Sequence, residues 1–230
     1  MFKIYNKSSE QMSEIENNSL DLIITSPPYN IGTVYGEVKD NLEFSDFKKL
    51  LSSVARESFR ILKDSGCLII ECADTVKMGD LYVELSGMFQ SFCLKEGFSI
   101  ESRFINFVSS SEGVELLEHD WDEDYTTTKN AHSNCHQIMV FSKTKKPFNP
   151  ESEVLYVNYY SSANHPCLTP EGVYKFILDR YFKTGDKVLD AFMGTAVLGA
   201  QVLERGGDFF GYELDKNIFQ VAENNLSKVR

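Results

Sequence analysis

The segment Thr25-Ser26-Pro27-Pro28-Tyr29-Asn30 follows the apolar run Leu22-Ile23-Ile24, so a strand is expected to stop in a rigid turn carrying a hydroxyl, two prolines and an aromatic ring. Proline has no N–H and holds φ near about −65°, so such a turn offers carbonyl and hydroxyl oxygens with few competing donors. A donor-rich ligand fits that set. The exocyclic amine of a nucleobase is one, with Tyr29 adjacent to stack on its ring. A Pro-Pro pair after a strand also serves as a plain stop, and the tetrapeptide by itself leaves the two readings level.

A second segment breaks the tie. Lys187-Val188-Leu189-Asp190-Ala191-Phe192-Met193-Gly194-Thr195-Ala196 reads as a short buried strand ending in an acid, then a glycine turn and the start of a helix. Gly194 can take a backbone conformation closed to other residues and lets a ligand approach closely. The next strand, Asp208-Phe209-Phe210-Gly211-Tyr212-Glu213, ends in a carboxylate about 20 residues further on, where nucleotide-binding α/β units place an acid against ribose hydroxyls. A third segment, Asn164-His165-Pro166-Cys167-Leu168-Thr169-Pro170, precedes apolar residues at helical spacing, Val173, Tyr174, Phe176, Ile177, Leu178 and Tyr181. Thr169 is a candidate N-cap and Pro170 a candidate first helical residue.

Ser26-Pro27-Pro28-Tyr29 resembles the catalytic tetrapeptide of the amino-group DNA methyltransferases, which begins with Ser, Asp or Asn and continues Pro-Pro-aromatic. The segment from Asp190 resembles that family's S-adenosylmethionine motif, Asp-Pro-Phe-x-Gly-Ser-Gly-Thr followed by a strand ending Gly-x-Glu, with Ala191 and Ala196 as departures. His165-Pro166 is similar to the family's His-Pro segment, and His136–Lys143 to the strand His-Glu-x-Ile-x-x-Phe-x-Lys, with Gln137 in place of Glu. The tetrapeptide precedes the cofactor turn, the order of the beta group. The likeness covers residues 20–74, 136–143 and 164–225.

The resemblance implies an α/β fold of the Rossmann-like S-adenosylmethionine-dependent methyltransferase type: a mostly parallel sheet, helices on both faces and permuted motif order. It implies S-adenosylmethionine as cofactor, with Asp190, Phe192, Gly194 and Thr195 around its methionine part, His165 and Pro166 lining that end, and Glu213 on the ribose. It implies double-stranded DNA as partner, the target base flipped into the pocket. There Ser26 Oγ and the Pro27 carbonyl would accept from its amine, and Pro28 and Tyr29 would complete the site. No metal is required. Ser-Pro-Pro-Tyr in the family leans towards cytosine N4 over adenine N6, and small members often form homodimers.

Length and composition are compatible with one domain spanning residues 1–230, with a target-recognition insertion at about 107–135 and a loop at 146–164. No run reaches the length of a membrane span and the amino terminus lacks the apolar core of a signal peptide, so the cytoplasm is the expected compartment. The cysteines, Cys67, Cys72, Cys93, Cys135 and Cys167, are scattered without a Cys-x-x-Cys pair, which suggests neither a zinc site nor a disulfide framework.

The formal charge is −11, against the basic surface that phosphate binding normally uses. Glu112, Glu115, Glu118, Asp120, Asp122, Glu123 and Asp124 carry much of it; without them the balance is about −4. Such a block is usually a solvated face. Lys143, Lys145 and Lys146, with Arg56, Arg60 and Lys63, are candidate phosphate contacts, though solvated surface is the favoured reading for each. An RNA or other-substrate amine methyltransferase, or a catalytically silent nucleic-acid-binding subunit, are the alternatives that the acidic charge keeps open.

The elements that must position these residues alternate. Strands are expected over Asp21–Thr25, Cys67–Glu71, Ser99–Val108 and His136–Lys143, and helices over about Ser45–Leu62 and Met78–Lys95. Asp64-Ser65-Gly66 is expected to turn the chain between helix and strand, Gly32–Asn41 to be a mobile connection and Lys146–Asn164 to be loop.

Overall fold

In the computed structural model, residues 1–109, 135–145, 154–158, 169 and 171–229 are described. The chain begins with β1 (Phe2–Tyr5) and β2 (Leu20–Thr25), then a small hairpin of β3 (Val34–Tyr35) and β4 (Val38–Lys39) leads into α1 (Phe44–Ile61). Next come β5 (Leu62–Ala73), a hairpin of β6 (Thr75–Met78) and β7 (Leu81–Glu84), α2 (Leu85–Glu96), β8 (Ser99–Ser109), β9 (Cys135–Ser142) and β10 (Val154–Asn158). The last third supplies α3 (Glu171–Tyr181), β11 (Lys187–Asp190), α4 (Val197–Glu204), β12 (Asp208–Tyr212) and α5 (Lys216–Ser227).

Eight strands form one sheet in the order β1-β12-β11-β2-β5-β9-β8-β10. Every junction is parallel except the two made by β9, which runs against β5 and β8. Successive side chains of a strand point to opposite faces, and β2 uses both. Ile23 joins Phe47, Leu51 and Val54 of α1 and Phe89 of α2. Leu22 and Ile24 join Val173 and Ile177 of α3, Leu198 and Val202 of α4, and Ala222 and Leu226 of α5. This is the Rossmann-like arrangement, a largely parallel sheet between two helical layers. Gly199 lets α4 lie close to its neighbours: a Cβ there would sit 2.7 Å from the Phe209 ring and 2.8 Å from Leu226.

Three expectations need correction. The helix expected over Met78–Lys95 starts only at Leu85; the preceding residues form the β6–β7 hairpin, turned at Gly79-Asp80 with Gly79 at φ +60°. Gly-Asp between alternating residues is a two-residue hairpin signal, and the apolar spacing masked it. Asp64-Ser65-Gly66 lies inside β5, where the register jumps from Leu20↔Leu62 to Leu22↔Cys67, so it forms a bulge against β2 rather than a link between elements. The stretch 146–164 contains β10, paired in parallel with β8 from Val154↔Ile105 to Asn158↔Ser109. The acidic block, His165, Pro166 and Cys167 lie outside the described residues. Cys72 and Cys93 carry free thiols. No helix among the described residues is long and apolar enough to cross a membrane.

Candidate active site

Parallel strands bring their carboxyl ends to one edge, where α/β sheets bind ligands. At that edge lie Ser26 after β2, Glu71 near the end of β5, Asp190 ending β11 and Glu213 after β12; antiparallel β9 contributes its first residues, including His136. Residues far apart in sequence thus share one cavity of about 250 Å³. Ser26, Pro27, Pro28 and Tyr29 line one side of it, and Phe192, Gly194 and Glu213 another.

The catalytic-turn side is built on a buried carboxylate that sequence reasoning missed. Glu71 is 3% exposed and accepts from Ser26 Oγ at 3.1 Å and from His136 Nδ1 at 2.6 Å, with Asn106 Nδ2 at 3.4 Å. Strand register explains the cluster: Ala73 and Asn106 both face His136 across the ladder, and Glu71 shares a face with Ala73 two residues earlier. Burial alone would raise the Glu71 carboxyl, yet the charge and hydrogen bond of His136, with those of Ser26 and Asn106, hold it below its ordinary value. Because the Ser26 O–H is donated to Glu71, its lone pairs remain to accept from a ligand. An acid closing the apolar run Cys67-Leu68-Ile69-Ile70 was the available signal, the same one that marked Asp190 and Glu213.

Tyr29 is 8% exposed; its hydroxyl accepts from the Ala73 N–H at 3.1 Å and lies 3.4 Å from His136 Nδ1. The turn itself is held by Asp40, whose Oδ2 accepts from the Asn30 N–H at 2.7 Å and whose carboxylate also lies near the backbone N–H groups of Ile31 and Tyr29. Burial raises the Asp40 carboxyl, an effect these three donors partly offset. Asn30 adopts the left-handed conformation, φ +57°, and its side-chain amide donates to Leu42 O at 2.9 Å.

On the opposite side, Gly194 sits at φ +52° and donates its N–H to Glu213 Oε2 at 3.2 Å, while Glu213 Oε1 accepts from the Asp215 N–H at 2.7 Å. Burial raises the Glu213 carboxyl. Asp190 does not line the cavity. It is 1% exposed, and its Oδ1 accepts from Thr25 Oγ1 at 2.8 Å and from the Phe192 N–H at 3.0 Å, tying the two functional turns together. Burial pushes it up to about 7. Thr195, also buried, gives its carbonyl to Asn225 Nδ2 at 3.0 Å. Ala196 takes a left-handed conformation, φ +61°, with its Cβ buried, so the turn accommodates the departure from glycine at the cost of backbone strain.

The chemistry of this side fits a nucleoside cofactor. Glu213 offers carboxylate lone pairs beside a close-approach glycine, and Ala191, Phe192, Met193, Tyr212 and Leu214 supply apolar surface for a base and a thioether chain. Of the basic candidates, Lys146 lies outside the described residues, and Arg60, Lys63 and Lys143 are committed elsewhere. Arg60 binds Glu57, Asn17 and the carbonyls of Met12 and Ile15; Lys63 pairs with Asp21; Lys143 lies over the Phe59 ring and bonds Asn18.

Comparison with known proteins places this geometry. The chain is 27% identical over 237 residues to the type II methyltransferase M.HpaI of Haemophilus parainfluenzae, covering 97% of this chain and 73% of that one. It is likewise 27% identical over 252 residues to the DNA adenine methyltransferase YhdJ of Escherichia coli, covering 97% and 81%. Among solved structures, the DNA modification methylase TTHA0409 of Thermus thermophilus, complexed with S-adenosyl-L-methionine, superposes with a TM-score of 0.72 at 21% identity over 100% of this chain and 95% of that one. The cytosine-N4-specific PvuII DNA methyltransferase gives 0.66 at 17% identity over 98% and 93%. At such identities these two likenesses bear on the fold. The family model described as DNA methylase, covering N6 and N4 methyltransferases, matches residues 20–224, and the chain belongs to that family of S-adenosylmethionine-dependent DNA methyltransferases.

Proposed function

We propose that this chain transfers a methyl group from S-adenosylmethionine to the exocyclic amine of a base extruded from double-stranded DNA, with cytosine N4 favoured over adenine N6. The observation that carries the reading is one cavity lined both by Ser26-Pro27-Pro28-Tyr29 and by Gly194 and Glu213. Family membership supports the reaction class, and the serine that opens the tetrapeptide supports the cytosine lean.

An exocyclic amine is a poor nucleophile because its lone pair is delocalised into the ring. Ser26 Oγ, with its proton directed to Glu71, and the Pro27 carbonyl accept the two amine hydrogens and favour a pyramidal nitrogen with a localised lone pair. The acceptors are fixed before the ligand arrives, the preorganisation on which electrostatic catalysis rests. Glu71 fixes Ser26, while Asp40 and the Ala73 N–H fix the backbone and ring of the turn. Tyr29 offers a ring on which the extruded base stacks, offsetting part of an unstacking cost of a few kcal/mol. Pro28 keeps a second N–H out of the acceptor set.

S-adenosylmethionine, when bound, supplies a methyl group activated on a sulfonium. Glu213 would accept from its ribose hydroxyls, Gly194 would permit close approach, and Phe192 would lie at its methionine part. Asp190 and Thr195 hold that turn from behind, and His165 and Pro166 belong to the same end by family resemblance. Residues 107–135 and 146–164, between the catalytic and cofactor segments, are read as target recognition within one domain. A homodimer rests on resemblance, and a cytoplasmic place of action on the sequence reading.

Adenine N6 is the second reading, favoured by the likeness to YhdJ. Incubating the protein with duplex DNA and S-adenosylmethionine, then digesting to nucleosides for mass spectrometry, separates the two. N4-methylcytosine is expected. Methyladenine alone overturns the lean, and a methylated RNA control with unmodified DNA overturns the substrate.

A further inference from the structure

The β3–β4 hairpin, which continues directly from the catalytic turn, crosses the cavity to the cofactor side. Tyr35, Val38, Lys39 and Asp40 line the cavity from this hairpin, opposite Glu213 and Leu214. Apart from Asp40, every residue from 31 to 43 is at least partly exposed, so little core packing holds the hairpin down.

Its tip is nevertheless anchored. The Glu37 N–H donates to Asp215 Oδ2 at 2.7 Å, while Asp215 Oδ1 caps α5 by accepting from Asn217 N at 2.9 Å and Ile218 N at 2.8 Å. Gly36, at φ +58°, presses so closely on this carboxylate that a Cβ would lie 2.4 Å from either oxygen. One side chain two residues beyond Glu213 thus holds both a helix start and the tip of a loop rooted in the catalytic turn. Nothing in the capping of α5 requires the second bond.

We propose that Gly36, the Glu37 N–H and Asp215 form a clasp that closes the β3–β4 hairpin over the bound cofactor, making Asp215 a positioning residue that couples cofactor retention to the catalytic turn. The inference rests on the cofactor reading of the cavity. With the clasp made, the hairpin covers the Glu213–Leu214 side; a nucleoside cofactor leaves only after the tip lifts from Asp215. Asp40 is the hinge side of the same loop, bonded to the Asn30 N–H directly after the catalytic tetrapeptide, so closure and the placement of Ser26–Tyr29 are mechanically joined.

The test is stopped-flow release of S-adenosyl-L-homocysteine from the full chain. Gly36→Ala puts a methyl group into the Asp215 carboxylate and should speed release at least about tenfold, the factor expected for losing a hydrogen bond to a charged group. Gly79→Ala is the matched control: φ is +60° and an added Cβ meets nothing within 4 Å, so backbone strain is equal and release should match the parent. Asp215→Asn is the second variant. Asn caps a helix as well as Asp, so its oxygen keeps α5 while its amide faces the Glu37 N–H, and release should again be fast with the helical circular-dichroism signal of the parent. Parental release rates in both Gly36→Ala and Asp215→Asn overturn the clasp alone. Failure of the parent protein to bind the nucleoside overturns the cofactor reading and the clasp with it.

Discussion

Glu71→Gln isolates the contribution of the buried carboxylate, because the substitution preserves shape and removes one acceptor. In the parent, Oε1 takes His136 and Asn106 and Oε2 takes Ser26. The glutamine oxygen should settle opposite the two donors at the Oε1 position, which leaves its NH₂ group facing Ser26 Oγ. The serine must then accept rather than donate, and one of the lone pairs that serves the target amine is occupied. A hydrogen bond to a charged group contributes about 1.5–3 kcal/mol. If the loss falls wholly on the transition state, turnover drops by between about tenfold and about 150-fold. Cofactor affinity should not move, since Glu71 contacts nothing on the Gly194–Glu213 side. Burial of a charge is relieved as its pairing is lost, so stability should change by no more than about 1 kcal/mol, or about 2–4 °C in melting temperature. Labelled-methyl turnover on duplex DNA, calorimetry with S-adenosylmethionine and a thermal melt read the three quantities. Parental turnover, or a cofactor affinity that falls in step with turnover, would refute the reasoning.

Ser26→Ala should lower kcat while leaving cofactor affinity at the parental level, measured by the same turnover and calorimetry pair. Asp190 gives a pH signature. Its carboxyl is raised to about 7 by burial, so between about 4 and 7 the folded chain binds more protons than the unfolded one, and the linkage relation makes stability fall as pH rises through that window. Asp190→Asn keeps the acceptor oxygen that serves both Thr25 and Phe192; denaturant titrations from pH 4 to 8 should find that part of the slope gone. Glu71 acts in the opposite sense: its depressed carboxyl contributes stability that is present above about pH 4.3 and is lost only on further acidification. Gly199→Ala drives a Cβ into Phe209 and Leu226 and should cost about 1–3 kcal/mol by overpacking, read as a lower urea midpoint.

What the sequence conveyed was local. A strand ending in Ser-Pro-Pro-Tyr, a second ending at Asp190 before Gly194 and a third leading to Glu213 are each written in a few consecutive residues, and each lies at the sheet edge as expected. Cross-strand relations were not legible. Glu71, Asn106 and His136 meet because β5, β9 and β8 adopt one register, and a shift of one residue would send the three to opposite faces. Nor could spacing show that Asp190 turns inward to Thr25 instead of towards a ligand, since that depends on which strand lies beside β11. The β6–β7 hairpin is hidden in the sequence because its apolar residues also satisfy a helical period, which outweighs the turn chemistry of Gly79-Asp80.

The sheet order carries a consequence for assembly. β11 and β12 are inserted between β1 and β2, strands made near the start of synthesis. Until residues 187–212 have been made, β1 and β2 lack the two strands that join them in the sheet, and Gly194 is missing from the cofactor side of the cavity. Gap filling is then the late, sequence-distant and therefore slow event, and ligand that binds only the filled form stabilises it by mass action.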